Sequence, residues 1–245
     1  MAEPARDYLL FRLYGALASW GDIAVGEVRP SFERPSKSAV LGLVAAALGV
    51  RRDEEDAQRR LAQDYGYAVE VQTFGQPLRD YHTVQRPPQR KGADYASRRA
   101  ELQAVPREGL ATTLSYRDYW QDASYIACLW AAQAAPIRSL AEIATALRHP
   151  HFVLYLGRKS CPPGLPLQPQ IVQAASPAQA FDGVEFKDRE WLDALSDDSR
   201  VRFCDDLMEG ECMKLVRRDR VDSRRRWQFA EREEYRTSVS GRAKR

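Results

Sequence analysis

Two short stretches carry the residue types from which a reactive site is built. The first is HPHFVLYLGRKSCPPGLPL at 149–167, which sets a cysteine after two histidines and a basic turn. A thiol nucleophile needs a base within hydrogen-bond reach. His149 and His151 stand at the far end of the apolar run 152–156, which separates them from Cys161 by roughly 15–20 Å if extended. These residues therefore make no local dyad, and Cys161 between Ser160 and Pro162 reads as a small packing residue. The histidine pair has no third ligand nearby for a metal. The same stretch also suits an anion. Gly157 permits an unusual turn, Pro162 and Pro163 stiffen the exit, and Arg158, Lys159 and Ser160 supply donors. Successive backbone N–H groups in such a turn can cradle a phosphate. An ordinary basic surface loop is the other reading.

The second stretch is LRDYHTV at 78–84. A metal-independent ribonuclease needs a base for the 2′-hydroxyl and a cation for the phosphate. Tyr81, His82 and Lys91 are candidates for those roles, at a spacing that is not diagnostic. A further anion site is expected where a helix opens at Ser36-Lys37-Ser38, preceded by Arg29 and Arg34, because a helix start offers free N–H groups and a positive dipole end.

Elements must hold these groups in place. Residues 8–14 alternate as a strand. Ser36 reads as the N-cap of a helix closed by Gly49, and Asp53 as the N-cap of a short helix ending near Gly66. Residues 67–74 alternate again. Residues 76–118 break the pattern, with Pro77, Pro87, Pro88 and Pro106, 8 basic and 5 acidic residues, and few aliphatic ones. So long an insertion is functional or disordered. Its Arg79, His82, Arg86, Arg90, Lys91, Arg98, Arg99 and Arg107, interleaved with Tyr81 and Tyr95, suit single-stranded nucleic acid or a solvated loop. Residues 124–131 read as a third strand. Pro136 opens a helix with Leu140, Ile143, Ala144 and Leu147 on one face, and 152–156 reads as a fourth strand. The order β-α-β-insertion-β-α-β is the split βαβ pattern of ferredoxin-like folds. RNA-recognition domains share that topology, but their RNP1 signature is absent here. Beyond 165 the sequence predicts short strands at 170–174, 185–186, 201–203, 213–217 and 227–230, and a weak helix near 188–195.

The chain has 245 residues, with 44% hydrophobic residues and a net charge of +3. That is a globular composition, and the charge alone does not argue for a polyanion. Its distribution says more. Residues 214–245 carry 12 Lys and Arg against 5 Asp and Glu, whereas 185–213 carry 10 acidic and 4 basic residues. Two faces of opposite sign are expected, or two strands that neutralise each other. The start MAEP lacks the features of a signal peptide, and the longest apolar run, 40–50, is too short to span a bilayer. Four cysteines without CxxC spacing suit a reduced, cytoplasmic protein without a membrane contact.

Several runs together resemble one family: Ser19-Trp20-Gly21, Arg29-Pro30 with Pro35-Ser36-Lys37-Ser38 and Leu41-Gly42-Leu43, LRDYHTV, Asp122-Ala123-Ser124, YLGRKSCP at 155–162, and Arg218-Asp219 with QFAERE at 228–233. Their order along residues 8–237 is similar to that of the fifth Cas family in its type I-E form, within the RAMP superfamily. The resemblance implies an α+β fold. Its parts would be a ferredoxin-like palm at 1–165, an inserted β-hairpin thumb at 76–118 and a β-rich portion at 166–237; residues 238–245 would be a basic tail.

It also implies a non-catalytic, cofactor-free subunit of the CRISPR Cascade complex. Such a subunit holds the 5′ handle of the CRISPR RNA, caps the CasC backbone and meets the large subunit CasA. Target DNA is reached through the assembled complex. Trp20, Arg29, Arg34, Lys37, Ser38, Tyr155, Gly157, Arg158, Lys159 and Ser160 are then the expected RNA contacts, with Trp20 near a handle base. Arg79, Arg90, Lys91 and Arg107 would serve the thumb. In the related type I-C systems the corresponding family is itself the processing nuclease, which keeps the ribonuclease reading of Tyr81, His82 and Lys91 as the alternative.

Overall fold

The computed structural model describes residues 4–22, 24–88, 92, 94–187, 200–208 and 210–239. In chain order its elements are β1 (Arg6–Tyr14), β2 (Leu17–Ala18), β3 (Trp20–Gly21), β4 (Val28–Arg29), β5 (Ser31–Phe32), α1 (Lys37–Leu48), α2 (Glu55–Asp64), β6 (Tyr65–Thr73), β7 (Gln76–Arg86), α3 (Arg98–Gln103), β8 (Ala111–Gln121), β9 (Ser124–Ala131), α4 (Leu140–Arg148), β10 (Gln170–Ala174), α5 (Pro177–Gly183), β11 (Arg200–Cys204), β12 (Cys212–Ser223) and β13 (Gln228–Val239). A seven-stranded antiparallel sheet runs β10-β1-β9-β6-β11-β13-β12.

Alternation along β1 divides the core. Leu9, Phe11 and Leu13 face α1, α2 and α4, while Tyr8 and Leu10 join Cys128, Trp130 and Phe181 of α5 on the other side. Being covered on both faces, β6 is buried at every position. The helices start where their caps say. Ser36 accepts from the Ala39 N–H and Gly49 ends α1 at φ 79°, while Ser139 and Glu142 form a capping box on α4. For α2 the N-cap is Glu54 rather than Asp53.

Three expectations are corrected. Residues 152–156 are not a strand, although Leu154 and Leu156 are buried and Val153 is exposed. Backbone N–H groups there bond elsewhere: Phe152 to Ala46 O, and Leu156 to Cys161 O. The place beside β1 belongs to β10. Residues 76–118 are not irregular throughout, because β7 and β8 form a hairpin paired from Gln76 with Gln121 to Arg86 with Ala111. β7 is largely exposed and β8 half-buried along most of its length, so neither arm shows the apolar alternation of a core strand. Residues 185–186 form no strand, whereas β11, β12 and β13 extend the segments read at 201–203, 213–217 and 227–230. The helix read at 188–195, and residues 240–245 of the tail, lie outside the described residues.

Gly66 in β6 sits against the Trp130 indole, where a Cβ would stand 2.1 Å from Cε2. Gly66→Ala should therefore lower stability by about 1–3 kcal/mol through overpacking. Urea unfolding of the purified chain measures it, and an unchanged midpoint would contradict the packing described.

Candidate nucleic-acid interface

The basic turn after Leu156 is held by its own backbone. Leu156 N–H donates to Cys161 O (2.7 Å), Cys161 N–H to Arg158 O (2.9 Å), and Ser19 N–H to Leu156 O (3.0 Å). Gly157 has φ +86° and lies so close to the β2–β3 segment that a Cβ would fall 1.8 Å from Ser19 O. Here glycine is required twice, by conformation and by space. Cys161 is fully buried, and burial pushes its thiol above the ordinary range, which suits packing rather than nucleophilic chemistry. His149 caps α4, and His151 packs edge-on to Phe152.

Within this turn the side chains divide. Arg158 reaches inward, donating to Asp118 O (3.1 Å) and Arg29 O (2.9 Å) while lying 4.8 Å from the centre of the Tyr119 ring. It therefore links the turn, β4 and the base of the β7–β8 hairpin. Lys159 and Ser160 point outward and are exposed. Arg29 is exposed and folds back on Gly26 O and Val28 O. Beside them, Arg79 grips Asp118 with two hydrogen bonds of 2.7 and 2.9 Å across the hairpin. Pro77, Leu78, Trp120 and Ser31 complete the wall of a shallow cleft at this point. Asp118 thus joins two of the cations, its carbonyl accepting from Arg158 and its carboxylate from Arg79, and the turn that carries Lys159 is tied through Arg158 to the backbone of Arg29; this cluster is the cradle. Sequence reasoning missed Asp118 and Tyr119, which stand at the end of the insertion and just beyond it, where no local periodicity gave a signal.

The expected anion site at the start of α1 is already filled. Lys37 N–H donates to Asp219 Oδ2 (2.9 Å) and Lys37 Nζ to Asp205 Oδ2 (2.7 Å). Arg232 bonds Asp219, Asp205 and Glu234, with contacts of 2.5, 2.7 and 2.9 Å. Arg34 is 3% exposed, pairs with Glu234, and lies 3.6 Å from the centre of the Phe203 ring. Burial pulls the Arg34 pKa down against the opposing effect of Glu234, and burial raises that of Asp205 despite Lys37 and Arg232. Ser38 is buried against Ser36 Oγ. Arg34, Lys37 and Ser38 are therefore structural groups, which corrects their assignment to RNA.

Trp20 is corrected as well. It is 2% exposed and packs edge-on to Tyr125 at 5.7 Å, so it presents no face to a base. Tyr155 is exposed beside the turn, and Arg107 lies on the exposed connection between the hairpin arms. Arg90 and Lys91 lie outside the described residues. Tyr81 and His82, being adjacent in β7, project from opposite faces of the hairpin. Tyr81 lies tilted against the Tyr116 ring and His82 contacts Asp80. These two groups do not converge on one reacting bond.

Two outcomes follow. Arg232→Met leaves Asp205, Asp219 and Glu234 short of a cation, and stability should fall by about 3–5 kcal/mol; chemical unfolding measures it. The hydrogen bonds from Arg79 hold the Asp118 carboxyl below the usual range. A depressed carboxylate stabilises above its unfolded value and loses that contribution as pH falls through its folded value. Asp118→Asn should therefore be destabilising at neutral pH and indistinguishable from the parent in strong acid, as a series of thermal melts across pH would show.

Comparison with known proteins agrees with this architecture. The profile of the family described as CRISPR-associated protein (Cas_Cas5) matches residues 8–235. The CRISPR system Cascade subunit CasD of Escherichia coli (strain K12) is 32% identical over 188 residues, covering 72% of this chain and 76% of that protein. A chain of a solved CRISPR RNA-guided surveillance complex superposes with a TM-score of 0.64 at 22% identity, over 96% of this chain and 90% of that one. A second structure, described as a Cas protein, gives 0.57 at 25% identity, over 96% and 95% of the two chains.

Proposed function

The chain belongs to the CRISPR-associated protein (Cas_Cas5) family, and we propose that it is the non-catalytic RNA-binding subunit of a type I-E Cascade complex. In this reading it holds the 5′ handle of the CRISPR RNA, caps one end of the CasC backbone and meets CasA, in the cytoplasm. The similarity to a Cascade subunit supports the assembly. The strand order β10-β1-β9-β6, with α1 and α4 packed together on one face, supports a ferredoxin-like palm of the RAMP type, from which the β7–β8 hairpin extends as a thumb.

One observation carries the RNA assignment: the turn at 157–160 is fixed from below by Gly157 and Arg158 while Lys159 and Ser160 face solvent. Such preorganisation suits a phosphate, since the donors need not be ordered on binding. Lys159, Ser160 and Arg29 would hold the backbone, with Tyr155 alongside. Arg79, Arg107, Arg90 and Lys91 would serve the thumb's contact with RNA or the first CasC subunit. Arg158 acts by positioning the turn. The processing-nuclease alternative is disfavoured by the opposite orientations of Tyr81 and His82.

Lys159→Glu should reduce the CRISPR RNA recovered with the purified complex. It should also lower the log–log salt slope of RNA binding by about 0.7, the value for one single-strand phosphate contact. Unchanged RNA content and slope would refute the cradle. Repeat RNA incubated with the chain in EDTA should stay intact; cleavage at one position that is lost in His82→Ala would establish the nuclease instead.

A further inference from the structure

The turn joining β12 to β13 has no part in the cradle, yet it concentrates the basic excess of the C-terminal region. It reads Ser223-Arg224-Arg225-Arg226-Trp227. The turn is built rather than loose. Arg224 folds under it, donating to Ser38 O of α1, and its guanidinium would stand 3.2 Å from a Cβ on Gly42. Arg52 Nε donates to Arg224 O at 3.0 Å. Ser223 Oγ and the Arg225 N–H both donate to Glu55 at the start of α2.

Upon this base stands an indole. Trp227 is 59% exposed and adopts φ 56°, a conformation rare for a bulky side chain. Arg52 and Arg224 lie 4.6 and 5.6 Å from its ring centre, and Phe229 meets it edge-on at 5.4 Å. An aromatic residue held in this geometry by flanking cations, with much of its surface in water, points to a use for that surface.

Around it, the carboxylates and cations are unequally free. Glu54 accepts from Arg51 N–H and Glu55 is committed as above, while Asp53 lies 3.9 Å from Arg51. The side chains of Arg225 and Arg226 are exposed; both attract Glu55 through space, but Glu55 already accepts from Ser223 Oγ and the Arg225 N–H, so neither guanidinium is held by it. Cations beside an exposed π-face are the elements of a surface for an unpaired strand, where phosphates meet the cations and a base stacks regardless of sequence. An acidic protein face would use the cations and leave the indole without a role.

From this arrangement we infer that the β12–β13 turn is a second nucleic-acid contact, in which Arg225 and Arg226 meet the phosphodiester backbone of an unpaired strand and Trp227 stacks on one of its bases. It is built by α1, Arg52, the start of α2 and the β12–β13 turn, none of which contributes to the cradle, so the two sites can fail separately.

The test uses the full chain carrying Lys159→Glu, which removes the cradle's outward lysine. A fluorescent oligothymidylate is titrated against it over a salt series. Adding Arg225→Gln and Arg226→Gln together should weaken binding and lower the log–log slope by about 1.4, two contacts of about 0.7 each. Adding Trp227→Gly should weaken binding about tenfold with the slope unchanged. Glycine accepts the positive φ, so the thermal midpoint should hold. Unchanged affinity and slope in the double arginine variant would overturn the inference. So would full affinity in Trp227→Gly. A labelled polyglutamate peptide that binds as tightly as the oligonucleotide, and depends equally on Arg225 and Arg226, would overturn it in favour of an acidic protein.

Discussion

At the start of α1 a small group of charges has been taken out of water together. Arg34, Lys37 and Arg232 meet Asp205, Asp219 and Glu234, and four segments supply them: the approach to α1, the end of β11, β12 and β13. Each charge is tolerable only because the others are present, since an isolated ion in such a place has a desolvation cost of several kcal/mol. The group therefore sets geometry more than it adds stability. It fixes the β12–β13 ribbon against α1, which in turn fixes where the Arg224–Trp227 turn lies. It also joins the C-terminal strands to the sheet that begins with β1, so that the chain's two halves share one core.

The same principle explains which basic residues are available outside. Arg34, Lys37 and Arg158 each find carbonyls or carboxylates within the fold, whereas Lys159 makes no such bond among the described residues. Neighbouring residues of the same charge thus have opposite duties. Arg158 shapes the turn and Lys159 faces outward from it. An arginine suits the first duty because its planar fork can bond two carbonyls at once.

Much of the architecture was legible. The strand at 8–14, the capped helices α1 and α4, and the strand at 124–131 follow from local periodicity and cap chemistry, which tertiary packing here reinforces. The β7–β8 arms were not legible from periodicity, because β7 is largely exposed and β8 only half-buried, although the family resemblance implied a hairpin there. The run 152–156 misled for the converse reason: its alternate residues are buried, yet its backbone bonds to α1 and to its own turn. For α5, Ser176 before Pro177 was a usable cap signal, obscured by the short length of the helix. In the candidate site, the Gly157 turn was readable from residue types. The inward direction of Arg34 and Lys37 was not, because their counter-charges lie far along the sequence and no local pattern announces them.

That separation bears on how the protein is made. Arg34 and Glu234 are 200 residues apart, and Lys37 and Asp219 are 182 apart. At about 5–20 residues per second, the ribosome delivers Glu234 roughly 10–40 s after Arg34. Until Asp205 is added, 168 residues after Lys37, neither Arg34 nor Lys37 has its carboxylate partner, and the β6 edge that receives β11 has no neighbour on that side until β11 is made. The amino-terminal half thus emerges with its future interior still in water. Its ion group is complete only once β13 has been added, so the last of these carboxylates to be made, Glu234, sets when the buried cations are fully paired.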